Sequence, residues 1–152
     1  MQKIIISDTS CLILLHKIGE LEILHKLFGA VVTTQEVADE FGIPLPSWIE
    51  LQQPSNTKYQ SIIEASVDKG EASAIALAIE HENSLLIIDE LKGRKLAHHL
   101  ALNITGTVGI LVEAKIVGLI PSVSTLLMKI KQTNFRISHE LELIVLKKAG
   151  EV

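Results

Sequence analysis

Cysteine is almost absent from the chain. Cys11 stands alone, so no intramolecular disulfide can form, and a reducing compartment suits it. Aromatic residues amount to 3%, which leaves few platforms on which bases could stack. Long hydrophobic runs are missing too. A helix that crosses a bilayer needs roughly 20 uninterrupted apolar residues; the nearest stretch, Ile110 to Val123, is broken by Glu113 and Lys115. The opening apolar run ends at Asp8 and is too short for a signal peptide, so a cytoplasmic protein with no membrane contact is expected. Positive charge is not in excess. A formal net charge of −4 argues against a broad basic surface that coats nucleic acid, although an acidic site can still hold a phosphodiester through metal ions. No glycine-rich loop follows the first apolar run, which disfavours a dinucleotide or phosphate-loop site.

What is present is a globular composition: 152 residues, 47% apolar and 21% charged, enough to bury one proper core. No repeat, low-complexity tract or charge block marks a boundary, so one domain over residues 1–152 is expected. Short runs rich in β-branched residues or leucine lie at Lys3 to Ile6, Ala30 to Thr33, Trp48 to Leu51, Ser84 to Ile88 and Asn103 to Thr105. Several are apolar on both faces, as strands covered on both sides must be. Between them the apolar residues follow a helical period. One stripe is Leu21, Leu24, Leu27 and Phe28, and another is Ala72, Ile75, Ala76 and Ile79. A third is Leu111, Ala114, Val117 and Gly118; Leu141, Ile144, Val145 and Lys148 form a fourth. Alternating strand and helix predict an α/β fold with a mostly parallel sheet between helices.

In such a sheet, sites gather at the carboxyl ends of the strands. Asp8 leaves the first run, Glu36 follows the second, and Asp89 with Glu90 follows the fourth. Glu71 opens the helix Gly70-Glu71-Ala72 and is expected at the same edge. Each acid has a plainer explanation as a helix cap. Thr33 to Glu36 and Asp68 to Glu71 both fit the capping-box spacing, and Asp8 and Asp89 are each placed to cap the next helix. Caps need only serine or threonine, however, and acids at all four points suggest a shared purpose.

That purpose is electrostatic. Carboxylates crowded together repel, and some are driven to protonate unless cations intervene. Hard oxygen donors favour Mg²⁺ or Mn²⁺. Two such ions about 3.5–4 Å apart activate a water and stabilise the leaving oxygen of a phosphodiester. A zinc site has no ligand set here, since His98 and His99 are adjacent and His81 is isolated. A haloacid-dehalogenase phosphatase needs a second aspartate two residues after the first, where this chain has Ser10. A receiver domain needs an acidic pair at the first strand, which is also missing.

Taken in order, Asp8-Thr9-Ser10, Thr34-Gln35-Glu36-Val37, Gly70-Glu71-Ala72 and Leu86-Ile87-Ile88-Asp89-Glu90 resemble the PIN-domain nucleases over nearly the whole chain. The later stretches Gly93-Arg94-Lys95-Leu96-Ala97 and Gly106-Thr107-Val108-Gly109-Ile110-Leu111 are similar to a prokaryotic subgroup related to the VapC-like toxins. The resemblance implies a three-layer α/β/α sandwich and Mg²⁺- or Mn²⁺-dependent hydrolysis of RNA. It also implies frequent homodimers and, for toxins, a small antitoxin protein as partner. Carried over, Asp8, Glu36, Glu71 and Asp89 form the catalytic metal site, with Glu90 as a further acid and Thr9 and Ser10 as polar neighbours on the substrate side. Many relatives carry aspartate where this chain has Glu71. Lys92 and Arg94, with Lys95, follow Asp89 closely and are candidates for phosphate contact; a solvated helix face explains them equally well. Arg94 has the planar fork that suits phosphate. Asn134, Phe135 and Arg136 fall in an expected loop and serve either recognition or dimer contact. The competing function is a PIN-like module that binds RNA or a protein partner with weak or no cleavage.

Overall fold

The computed structural model describes residues 3–152. Among these, five short strands form one sheet in the order β3-β2-β1-β4-β5, and every neighbouring pair is parallel. The strands are β1 (Ile4–Ser7), β2 (Val31–Thr33), β3 (Ile49–Leu51), β4 (Ser84–Ile87) and β5 (Ile104–Thr105). All five coincide with the apolar runs of the sequence. The expectation of a mostly parallel sheet becomes a wholly parallel one.

The helices between them are α1 (Thr9–Lys17), α2 (Glu22–Phe28), α3 (Gln35–Phe41), α4 (Thr57–Ile63), α5 (Lys69–Glu80) and α6 (Leu91–His99). After β5 come α7 (Thr107–Ile116), α8 (Val123–Lys131) and α9 (His139–Lys148). Side chains alternate across each strand, so each strand feeds both layers. Ile5, Ile87, Val31 and Ile49 join Leu12, Leu15, Leu111 and Leu127 in one core. Ile6, Val32, Leu86 and Ile88 join Ile75, Leu77 and Ala97 in the other. This is the three-layer α/β/α sandwich. The second core is lined by alanines along α5, whose small side chains let that helix lie close on the sheet: Ala72, Ala74, Ala76 and Ala78 are all buried.

Chain order reverses at β1. From β1 the chain moves outward through β2 and β3, then returns to place β4 on the other flank of β1. Such a switch point opens a crevice beyond the carboxyl ends of the two strands, because their connections run to opposite sides. Asp8 leaves β1 and Asp89 follows β4, and the two chains are tied there by the Asp8 amide donating to the Ile87 carbonyl at 3.0 Å. No helix among the described residues is long and apolar enough to cross a membrane.

Candidate functional site

Asp8 is fully buried and caps α1, its Oδ1 accepting from the Cys11 amide at 3.3 Å. Its other oxygen, Oδ2, is buried with no hydrogen-bond partner among the described residues. Burial pushes the Asp8 carboxyl well above its ordinary range, and the charges of Asp89 and Glu71 push it further. Capping therefore occupies one oxygen of this carboxylate and leaves the other without a partner.

Glu71 stands at the first turn of α5, behind the N-cap Asp68, whose Oδ1 accepts from the Glu71 amide at 2.8 Å. The capping-box geometry is half realised: Asp68 caps, while the Glu71 side chain points elsewhere. Glu71 Oε2 is the second buried carboxylate oxygen without a partner. It lies against α6, where a Cβ on Gly93 would come within 2.5 Å of it. Burial raises the Glu71 carboxyl to about 8, helped by a carboxyl–carboxyl contact with Asp68 and by the charges of Asp68, Glu90 and Glu40.

Asp89 does not cap the helix that follows it. Glu90 occupies the N-cap of α6 and makes no side-chain cap bond. Asp89 instead reaches across to α7, where Oδ1 accepts from the Thr107 amide at 2.8 Å and Oδ2 from the Thr107 hydroxyl at 2.6 Å. Gly106 makes this approach possible, since a Cβ there would lie 2.9 Å from Asp89 Oδ1 and 3.0 Å from an Arg94 guanidinium nitrogen. The same Arg94 nitrogen donates to the Ile88 carbonyl at 2.8 Å. Arg94 thus braces the end of β4 from beside Asp89, whereas Lys92 is exposed on α6 and borders neither of the clefts that open on Asp89.

Glu36 is placed elsewhere than its position after β2 suggests. The N-cap of α3 is Thr34, not Thr33, and its hydroxyl accepts from the Val37 amide at 3.2 Å. Glu36 then projects toward the α4 side, where its carboxylate accepts from Gln53 at 2.9 Å and from Gln60. Burial pushes its carboxyl up, but these two amides outweigh that and hold it below its ordinary value. The residue that enters the acidic group is Glu40, one turn further along α3. Its Oε1 crowds the space beside Gly70, within reach of Thr9 Oγ1, though that hydroxyl makes no hydrogen bond of good geometry. Burial and the charge of Asp68 raise Glu40. Nothing at a strand end signals Glu40; the only sequence trace of it is the four-residue spacing from Glu36, which sets both on one side of α3.

The structure therefore brings Asp8 within electrostatic reach of both Asp89 and Glu71, adds Glu40, Asp68 and Glu90 around Glu71, and gives Glu36 other partners. Thr9 is buried beside Glu40, and Ser10 lines the cleft in front of Asp89. Among the described residues no three His, Cys, Asp or Glu side chains stand close enough to enclose a metal ion. A hard divalent cation still fits the donors. Mg²⁺ keeps most of its waters and needs only one or two carboxylates, and two buried carboxylate oxygens here have no other partner.

Comparison with known proteins agrees with this architecture. A family model described as a PIN domain matches residues 4–151. No curated protein and no solved structure matches the chain.

Proposed function

We propose, from the premise that the chain belongs to the PIN-domain family, that it is a metal-dependent endoribonuclease. PIN domains are generally nucleases that use divalent metal ions. The observation that carries the reading to this chain is the pair of orphaned, buried oxygens, Asp8 Oδ2 and Glu71 Oε2, on two carboxylates within electrostatic reach of each other. An unpaired carboxylate oxygen removed from water is costly, and a bound cation offsets that cost. Asp8 and Glu71 would offer their free oxygens to Mg²⁺ or Mn²⁺, Asp89 would reach the ion through its waters, Glu40 would take the role that strand order gave to Glu36, and Glu90 would stand at the rim. The ion would supply an activated water and charge stabilisation at the leaving oxygen. The chain's own contribution is to fix two of the carboxylates: Asp8 caps α1 and Thr107 holds Asp89, so neither is free to rotate away, while Asp68 caps α5 and so places the backbone of Glu71.

A toxin role with a small antitoxin as partner, a homodimer, a single domain over residues 1–152 and a cytoplasmic location complete the proposal. Both Asp89 oxygens are already held by Thr107, and this favours a second reading, a PIN-like module that binds RNA or protein without cutting. Cleavage of labelled single-stranded RNA with Mn²⁺ or Mg²⁺ separates the two. The nuclease reading expects activity that falls about a hundredfold or more in Asp8→Asn and in Asp89→Asn, with circular dichroism unchanged. Activity that survives EDTA and both substitutions overturns it. Induction in cells tests the toxin role: growth arrest is expected, and its absence removes that role.

A further inference from the structure

Two clefts open on either side of Asp89, of about 570 Å³ and 530 Å³. Among the described residues, two besides Asp89 border both: Phe135 and Arg136, in the loop between α8 and α9. They form a ridge between the clefts. The charged residues lining the first are Lys17, Arg136, Asp89 and Glu90; those lining the second are Arg94, Arg136, Lys148 and Asp89. In a chain of net charge −4, both arginines it contains thus stand beside the same aspartate. They are held differently. Arg94 is committed to the Ile88 carbonyl. Arg136 is exposed and makes no hydrogen bond or ion pair among the described residues.

The loop that carries Arg136 is held by several contacts. The Thr133 hydroxyl donates to the Ile130 carbonyl at 2.6 Å and accepts from the Phe135 amide at 3.1 Å. Lys17 of α1 donates to Asn134 Oδ1 at 3.3 Å, and the Phe135 ring packs against the core beneath the sheet. A guanidinium with no partner of its own, carried on a loop anchored beside Asp89, can turn its forked face to two oxygens of a phosphate.

We infer that Arg136 is a substrate-positioning residue that grips a phosphate of single-stranded RNA as the strand bends over the Phe135–Arg136 ridge, with flanking phosphates near Lys17 on one side and Lys148 on the other. This rests on the nuclease reading of the acidic rim for its substrate class. A ridge between two clefts suits a single strand that can bend and splay its bases. A duplex is stiff and would meet the ridge as an obstacle.

The test is fluorescence anisotropy with a labelled single-stranded RNA across a series of salt concentrations with Mg²⁺ present. All variants are made in the Asp8→Asn background, which blocks cleavage and removes one repelling carboxylate. Arg136→Ala is expected to weaken binding about tenfold and to lower the slope of log affinity against log salt by about 0.7, the value for one phosphate contact on a single strand. Arg136→Lys keeps the slope, and Lys58→Ala, which removes an exposed charge on α4, changes neither quantity. Equal affinity and slope for Arg136→Ala and its parent overturn the inference, as does a parent that binds no single-stranded RNA or binds a duplex as well. Cleavage by the wild-type chain separates this from the nuclease reading. Cutting with Arg136-independent binding sinks the positioning role alone; Arg136-dependent binding in a chain that never cuts sinks the nuclease reading alone.

Discussion

The most consequential placement at the level of single residues is the exchange of Glu36 for Glu40. The two are one helical turn apart, and the difference lies in what waits for each carboxylate. Glu36, half-buried, meets the side-chain amides of Gln53 and Gln60, which satisfy it. Glu40, exposed on the next turn, meets Asp68 and the space over Gly70, where partial desolvation and like charge raise it. Glu40→Gln is therefore expected to cut metal-dependent cleavage about tenfold or more, while Glu36→Gln keeps cleavage near the wild-type rate. Parallel rate measurements on the two variants decide it, and the opposite order would restore Glu36 to the site. Asp8 and Asp89 were legible from strand ends because a parallel sheet delivers those residues to its carboxyl edge. Glu40 was not, because its position depends on the roll of α3 against α5. That roll is set by contacts such as the Thr34–Ser73 hydroxyl pair at 2.6 Å, which join residues far apart in the chain.

Elements show the same division between what is local and what is tertiary. The five strands were readable because each is a short apolar run between polar ones, and four of the helices because their apolar residues recur at helical spacing. The short α4 and the amphipathic α8 were not singled out, although local caps mark both: Asn56 accepts from the Lys58 and Tyr59 amides, and Ser122 from the Thr125 amide. A tertiary cap was hidden altogether. Beyond α9 the chain turns at Gly150, whose φ of +76° lies in the left-handed region that favours glycine. The turn brings Glu151 back onto the start of α8, where it accepts from the Val123 amide at 2.7 Å, the Ser124 amide at 3.0 Å and the Lys115 ammonium at 3.0 Å. One carboxylate thus joins α7, α8 and the end of α9. Glu151→Ala is expected to cost about 1–2 kcal/mol, the range for loss of a helix cap, read as a lower midpoint in chemical denaturation. A midpoint equal to that of the wild type would show that the Ser122 cap suffices alone.

For the whole molecule, these carboxylates give stability two opposing dependences on pH. Burial raises the Glu151 carboxyl, but the amides of α8 and the Lys115 charge outweigh it and bring it down to about 2, from an ordinary 4.5. Its contribution is therefore present above about pH 4.5 and is lost as the pH falls toward about 2. Glu71 works the other way. Burial first, then Asp68, raises it to about 8, so between about pH 4.5 and 8 the folded chain keeps a proton that the unfolded chain has released. The state that binds more protons is favoured at low pH, so this group makes stability fall as the pH rises through that window. Asp8, raised by burial and by Asp89, adds to the fall. Without metal, thermal midpoints should pass through a maximum in mildly acidic solution and decline toward pH 8. A divalent cation competes with the proton for the same oxygens, so it should restore more stability at pH 8 than at pH 6. At a hundred times its dissociation constant, the gain is about 2.7 kcal/mol. Thermal unfolding with and without millimolar Mn²⁺ at the two pH values measures both effects. The metal-dependent gain should shrink in Asp8→Asn and in Glu71→Gln, because each removes an oxygen that only a cation or a proton can satisfy. A flat profile between pH 5 and 8, with no gain from Mn²⁺ at either pH, would mean that the crevice holds its acids without needing an ion, and the nuclease reading would lose its physical basis.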